Sequence, residues 1–188
     1  MSHEFSLSGG TLPRDNGHVI LSGLSVRFPW IHGRPDLQIA PVRGTWRDKG
    51  ARIRLDRGSK LHIRGLSVEE ARELSLRWFA VHGIAIMIGE VREVPVVPYP
   101  VLVSHRVILR DKVDRHEVLS ALLPLIDDPA VEVELGRRST MRIHERQFVG
   151  HVVTLREVSP ETSRRIQNTG IGIGTSMGCG VFYPSRRG

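Results

Sequence analysis

Apolar and polar positions along this chain alternate in short runs, broken by stretches with helical spacing, and the order of these pieces occurs twice. His3 to Ser8 alternates with period two and predicts a first strand. Gly9-Gly10 then punctuates the chain, and Pro13 stands where a first helical turn tolerates proline. Leu21, Leu24 and Phe28 have helical spacing, so a helix is predicted from Arg14 to about Phe28. Leu37 to Val42, Ala51 to Asp56 and Lys60 to Arg64 read as strands, with turns at Asp48-Lys49-Gly50 and Arg57-Gly58. Ser67-Val-Glu-Glu70 has the spacing of a capping box, and Ala71, Leu74, Trp78 and Val81 fall on one face behind it. Trp78 and Phe79 are therefore expected in the core, and Ile84 to Val94 is strand-like.

Pro95, Pro98 and Pro100 form a stiff connector that predicts an internal boundary, giving modules over 1–95 and 96–188. The order then repeats. Leu102 to Arg110 predicts a strand, and Asp114 with Glu117 caps a helix carrying Val118, Leu122, Leu125 and Ile126. Val131 to Leu135, Met141 to His144 and Phe148 to Leu155 supply strands. Ser159-Pro160-Glu161 places a cap, a proline at the first position and an acid in the first turn of a helix ending near Thr169. Val181 to Tyr183 completes the last strand. The expected class is α+β, two ferredoxin-like (RRM-like) βαββαβ modules in tandem, the second with a glycine-rich loop before its final strand.

Charge narrows the function. The net charge is +7, and nearly all cations are arginine, with lysine only at Lys49, Lys60 and Lys112. Arginine presents a planar fork to phosphate oxygens and base edges, so a polyanionic partner is one reading; an arginine-favouring genome composition is the other. The apolar run Gly83-Ile-Ala-Ile-Met-Ile-Gly89 is too short to span a bilayer, and no charged-then-apolar leader opens the chain. The single cysteine, Cys179, excludes an internal disulfide and a cysteine-based zinc site. A cytoplasmic protein without cofactor, resident metal or membrane contact is expected. With three Trp, two Tyr and five Phe, stacking platforms for single strands are sparse and no aromatic-rich RRM strand motif is evident. Phosphate contacts and groove shape in a folded stem are the expected mode of recognition.

The most distinctive segment is Gly170-Ile-Gly-Ile-Gly-Thr-Ser-Met-Gly-Cys-Gly180. It lacks the Gly-Lys-Ser/Thr of a Walker loop, and it follows a helix and precedes a strand, the reverse of a Rossmann fingerprint. Its N–H groups can cup a phosphate, with Gly170, Gly172, Gly174, Ser176 and Gly178 as candidate contacts. The bland alternative is a hinge closing the last strand. Together with Leu12-Pro-Arg-Asp-Asn-Gly-His18, Ile39-Ala-Pro-Val-Arg-Gly44, Gly58-Ser-Lys-Leu-His-Ile-Arg64, Arg138-Ser-Thr-Met-Arg-Ile143 and Met177-Gly-Cys-Gly-Val-Phe182, the loop resembles the repeat-associated proteins of CRISPR systems. More narrowly, the chain resembles the repeat-processing endoribonuclease subtype first described in myxobacteria. That resemblance implies metal-free cleavage of precursor CRISPR RNA within each repeat stem-loop, and association with other effector subunits.

Metal-free scission needs a base for the 2′-hydroxyl, charge stabilisation at phosphorus and an acid for the leaving 5′-oxygen. The family's expected base is a histidine in a pattern close to Asp-His-Gly-Tyr, whereas this chain reads Asp15-Asn16-Gly17-His18, with Asn16 at the family's histidine position. Three readings stay open: His18 supplies the base, the protein binds guide RNA without cutting, or Asn16 is an engineered replacement. His18 is favoured, since the positive end of a helix dipole disfavours imidazolium. His32 and His62 are the other candidates; His105, His144 and His151 carry no motif. Asp127-Asp128 reads as a helix end rather than a catalytic pair. Lys60, His62 and Arg64 share one face of their strand, with Lys60 a candidate for charge stabilisation and Arg64 for tracking RNA. Arg137, Arg138 and Arg142 form a second basic cluster, and Arg164 and Arg165 precede the glycine loop. An unrelated two-module scaffold is the remaining alternative to an RNA protein.

Overall fold

The computed structural model describes residues 2–47, 51–143 and 146–185, so the Asp48-Lys49-Gly50 turn and His144 lie outside the described residues. The chain divides into two compact units, Met1–Pro95 and Val96–Gly188. In the first, β1 (Ser2–Ser8), β2 (Thr11–Pro13), α1 (Gly17–Arg27), β3 (Gln38–Ile39), β4 (Thr45–Arg47), β5 (Arg52–Arg54), β6 (Lys60–Arg64), α2 (Val68–Leu74), β7 (Trp78–Val81) and β8 (Ile84–Val94) follow one another. The main sheet is antiparallel, in the order β3-β6-β1-β8-β7. With β1, β3, β6 and β8 as the four strands of a βαββαβ unit, the spatial order is second, third, first, fourth, which is the ferredoxin-like arrangement. β7 extends its edge, and β2-β5-β4 form a separate small sheet.

Alternation decides which face is covered. Phe5 and Leu7 of β1, Leu61 and Ile63 of β6, and Ile86 and Ile88 of β8 pack with Ile20 and Leu24 of α1 and Ala71 and Leu74 of α2. The capping box at α2 is complete: the Ser67 hydroxyl accepts from the Glu70 N–H and the Glu70 carboxylate accepts from the Ser67 N–H. Arg34 grips that same Glu70 at 2.7 Å and Asp36 at 2.6 Å.

Three expectations for this half need correction. The first helix begins at Gly17 rather than Arg14, and Pro13 ends β2, an edge strand where a missing N–H costs no ladder bond. The second helix stops at Leu74, because Ser75 is extended and Leu76 takes a left-handed φ of 58°. Trp78 to Val81 is therefore strand, and Trp78 turns outward, 50% exposed, while Phe79 is buried as expected.

The second unit contains β9 (Leu102–Val107), α3 (Arg115–Ile126), β10 (Glu132–Ile143), β11 (Arg146–Arg156), α4 (Pro160–Thr169) and β12 (Tyr183–Pro184). Its sheet order, β10-β11-β9-β12, repeats the ferredoxin-like pattern without additions. Asp114 accepts from the N–H groups of His116 and Glu117, and Ser159 accepts from Thr162, so both helices start where their caps predicted. Leu125, expected on the apolar stripe of α3, is exposed. The two strand segments predicted between Val131 and His144 are one long strand with a bulge between Leu135 and Arg138.

Candidate nucleic-acid interface

The entry to α1 is fixed by Asn16. The residue is fully buried, and its side chain is spent on the main chain: Nδ2 donates to the Val42 carbonyl at 2.9 Å and, at 3.4 Å, to that of Arg14, and Oδ1 accepts from the Val42 N–H at 2.8 Å. The carboxamide thus pairs with Val42 as a neighbouring strand would, and it ties α1 to the segment between β3 and β4. In a buried setting each of those four groups needs its partner. Asn16 acts here on the backbone.

His18, two residues on, is half-buried and opens into a cleft of about 380 Å³ between α1 and β7. Val19, Ser22, Val26 and Arg27 line the helix side, and Trp78 and His82 the strand side. Lys60 is not part of this cleft. Alternation turns Leu61 and Ile63 toward α1 and sends Lys60, His62 and Arg64 to the opposite face of the sheet. His18 and Lys60 are therefore on opposite sides of the first sheet.

On that second face a cross-strand row forms, His62 on β6, Glu4 on β1 and Arg92 on β8. Arg92 Nη2 meets Glu4 Oε1 at 2.9 Å, and His62 Nε2 lies 3.6 Å from Glu4 Oε2. Burial pushes the His62 pKa below its ordinary value, and although Glu4 opposes this, the cations Arg64, Lys60 and Arg92 add to it. Arg64, expected to track RNA, is only 9% exposed and reaches Gln38 across β3. His32 is exposed just beyond a 3₁₀ turn at Pro29–Ile31.

In the second unit the structure brings two predicted pieces together. Arg138, Thr140 and Arg142 point outward along β10, and Arg137 is exposed beside the bulge. Met141 on the other face packs with Ile108 and Cys179, and Phe148 and Ile173 close this small cluster. The basic hairpin thereby sits against the glycine-rich segment. Arg106 joins them further: its Nε donates to Ser139 Oγ at 2.7 Å, and its carbonyl accepts from the Gly180 N–H at 2.6 Å. Nothing in the sequence singled out Arg106, which carries no motif.

Much of the glycine segment is committed to the fold. The N–H groups of Ile171, Ile173, Met177, Gly178, Cys179 and Gly180 all donate to main-chain carbonyls. Gly172 has φ +90°, and a Cβ there would collide with the Ile108 carbonyl, so glycine is required for the close approach to the end of β9. The candidate contacts Gly170, Gly172, Gly174, Ser176 and Gly178 therefore lie on a braced loop containing a 3₁₀ turn, Thr175–Met177. Of the two arginines on α4, Arg164 is exposed, while Arg165 donates to the carbonyls of Leu125 and Ile126 and so caps α3. His151 is buried with Nε2 3.2 Å from the Val113 carbonyl. Asp127 is the left-handed cap of α3, and Asp128 accepts from the Ser159 hydroxyl at 2.9 Å, so this pair organises a helix junction. Among the described residues no group of three or more His, Cys, Asp or Glu side chains is arranged to hold a metal, and no helix is long and apolar enough to cross a membrane.

A family model described as Cas6 CRISPR matches residues 2–187, almost the whole chain. The chain belongs to the Cas6 family. A curated relative from Myxococcus xanthus (strain DK1622), a CRISPR-associated endonuclease Cas6, is 28% identical over 186 residues, spanning 97% of this chain and 80% of the relative. Among solved structures, a Cas6-related protein from Pyrococcus furiosus superposes with a TM-score of 0.64 at 14% identity, over 100% of this chain and 99% of that one. The Thermus thermophilus Cse3 structure, bound to an RNA representing a pre-cleavage complex, gives 0.51 at 12% identity over 97% of each chain. At these identities the two likenesses show a shared fold.

Two outcomes follow from the buried polar groups of this Cas6 chain. Asn16→Ala leaves the Val42 N–H and carbonyl buried without their partner, at a cost of about 1–3 kcal/mol in denaturant unfolding; Asn16→His is expected to destabilise too, since an imidazole ring does not reproduce a carboxamide's parallel donor and acceptor. Burial also lowers the pKa of His3 and of His62, so the folded state favours both rings neutral. The unfolded chain takes up protons first as pH falls below about 6.5, and stability declines from there toward the lower folded pKa values. Thermal melts between pH 7.5 and 5 should show that decline, and His3→Gln with His62→Gln should flatten it.

Proposed function

We propose that this chain is an endoribonuclease that binds a CRISPR repeat stem-loop and cuts the precursor RNA without a metal, releasing guide RNA. The observation that carries the reading is the His18 cleft, a histidine-bearing hollow in a basic protein of the Cas6 family. In the proposed reaction His18 removes the 2′-hydroxyl proton and the 2′-oxygen attacks the adjacent phosphorus. The bond to the 5′-oxygen breaks, and His82, which lines the same cleft, returns a proton to that oxygen. The products are a 2′,3′-cyclic phosphate and a 5′-hydroxyl. Arg27 stands nine positions beyond His18 on α1, roughly 13 Å along the axis, so it suits a neighbouring phosphate rather than the reacting one. Asn16 is a positioning residue in this scheme. Its clamp on Val42 sets where α1 starts and hence where His18 points.

The stem is proposed to lie on the second unit, with Arg137, Arg138 and Arg142 on the hairpin, Arg164, and the outer edge of the glycine loop against the phosphate backbone. Lys60 and Arg64 then belong to the other face of the first unit's sheet. One observation favours a second choice of base. His62, held neutral by burial amid Lys60, Arg64 and Arg92, has the protonation state a base requires. A guide-RNA-binding subunit that never cuts is the competing class of function, and association with other effector proteins fits either.

A labelled repeat hairpin in excess EDTA separates these readings. Wild-type protein should cut at one position and leave a cyclic phosphate. His18→Ala should slow cutting by about 10²–10⁴-fold with repeat binding intact. Loss in His62→Ala with His18→Ala unaffected would move the base to the sheet face, and tight binding without any cutting would favour the guide-RNA subunit. Binding measured against salt tests the hairpin: Arg138→Gln and Arg142→Gln should each lower the slope of log affinity against log salt by roughly one, and an unchanged slope would remove these arginines from the interface.

A further inference from the structure

We propose that the cleft between α1 and β7 holds one unpaired nucleobase of the RNA, stacked on the Trp78 indole beside the bond to be cut. This rests on the ribonuclease reading above and adds what the cleft recognises. A volume of about 380 Å³ lies at the small end of ligand-sized pockets, so it suits one nucleotide and not a helical stem. Its walls are mainly apolar. Trp78 is 50% exposed and Val26 83% exposed, and both are among the residues that line the cleft. A nucleobase covers such surface with its own flat face, whatever its identity. Arg27, His18 and His82 stand around the apolar part, and no acidic side chain is among the described lining residues, which favours a polyanion threading past.

The alternative occupant of a cleft beside an edge strand is a peptide that adds another strand. Here α1 packs against β7. Gly23 of α1 lies so close that a Cβ on it would collide with the Ala80 carbonyl, so the helix obstructs an added strand at that point of the edge. Seating a nucleobase in the cleft His18 lines also presents its sugar, and the 2′-hydroxyl next to the scissile phosphate, to the imidazole.

Abasic scanning of the repeat RNA with wild-type protein, followed by Trp78 variants, tests the assignment. One abasic position should lower the cleavage rate about tenfold, and Trp78→Ala should lower it by a similar factor on intact RNA. The two changes together should cost no more than either alone, and Trp78→Phe should retain most of the rate. Full-rate cutting by Trp78→Ala, or losses that multiply, would overturn the stacking assignment while leaving the nuclease reading in place. The scan on wild-type protein stands even where a Trp78 variant fails to fold, and a scan in which no single base matters overturns the pocket. Failure of wild-type protein to bind the hairpin at all would instead overturn the ribonuclease reading together with it.

Discussion

Each unit of this chain covers its sheet with helices on one side only, and that constraint organises everything else. In an antiparallel sheet built this way, every second residue of a strand enters the core and its neighbours are left on the other face. β6 shows the result in five residues, with Leu61 and Ile63 inside and Lys60 and His62 outside. Polar chemistry is therefore sorted between the uncovered sheet face and the rim where a helix meets the edge strand. His62 belongs to the first setting and His18 to the second, and no rearrangement short of unfolding brings them together.

The parts of the fold set by local rules were legible in the residues. Capping serines at 67 and 159, the aspartate at 114 and the alternation of β1, β6 and β8 each specify an element through neighbours a few positions away. What stayed hidden depends on distant partners or on very short elements. β2 and β4 are three residues each, too short to display a period, so of the small sheet only β5, inside the strand read from Ala51 to Asp56, was legible. Trp78 was misplaced because the spacing Ala71, Leu74, Trp78, Val81 satisfies a helix equally well. The extended Ser75 and the left-handed Leu76 end that helix, and neither residue gives warning of it.

The candidate site divides along the same line. The arginine clusters and the glycine segment stand out from composition, but the apolar contact among Ile108, Met141 and Cys179 that unites them spans the whole unit. Asn16 is the sharpest case. Its sequence context marks a missing imidazole, while its partner, Val42, lies 26 residues away, and the pairing emerges only once β3 has been laid beside β6. Arg165 is similar: its charge reads as an RNA contact, while the carbonyls of Leu125 and Ile126 that it caps lie about 40 residues earlier in the chain.

The internal bonding of the glycine-rich segment has a kinetic consequence. Glycines confer the greatest freedom on an unstructured chain, and a loop that froze only on meeting its ligand would surrender that freedom at each encounter. Here the surrender happens once, during folding, when the carbonyls of Arg106, Ile108 and Gly174 capture the loop. On the proposed placement of the stem, a polyanion meets a loop already braced by these bonds, so the speed of capture is governed by long-range attraction and orientation rather than by the time a floppy segment takes to settle.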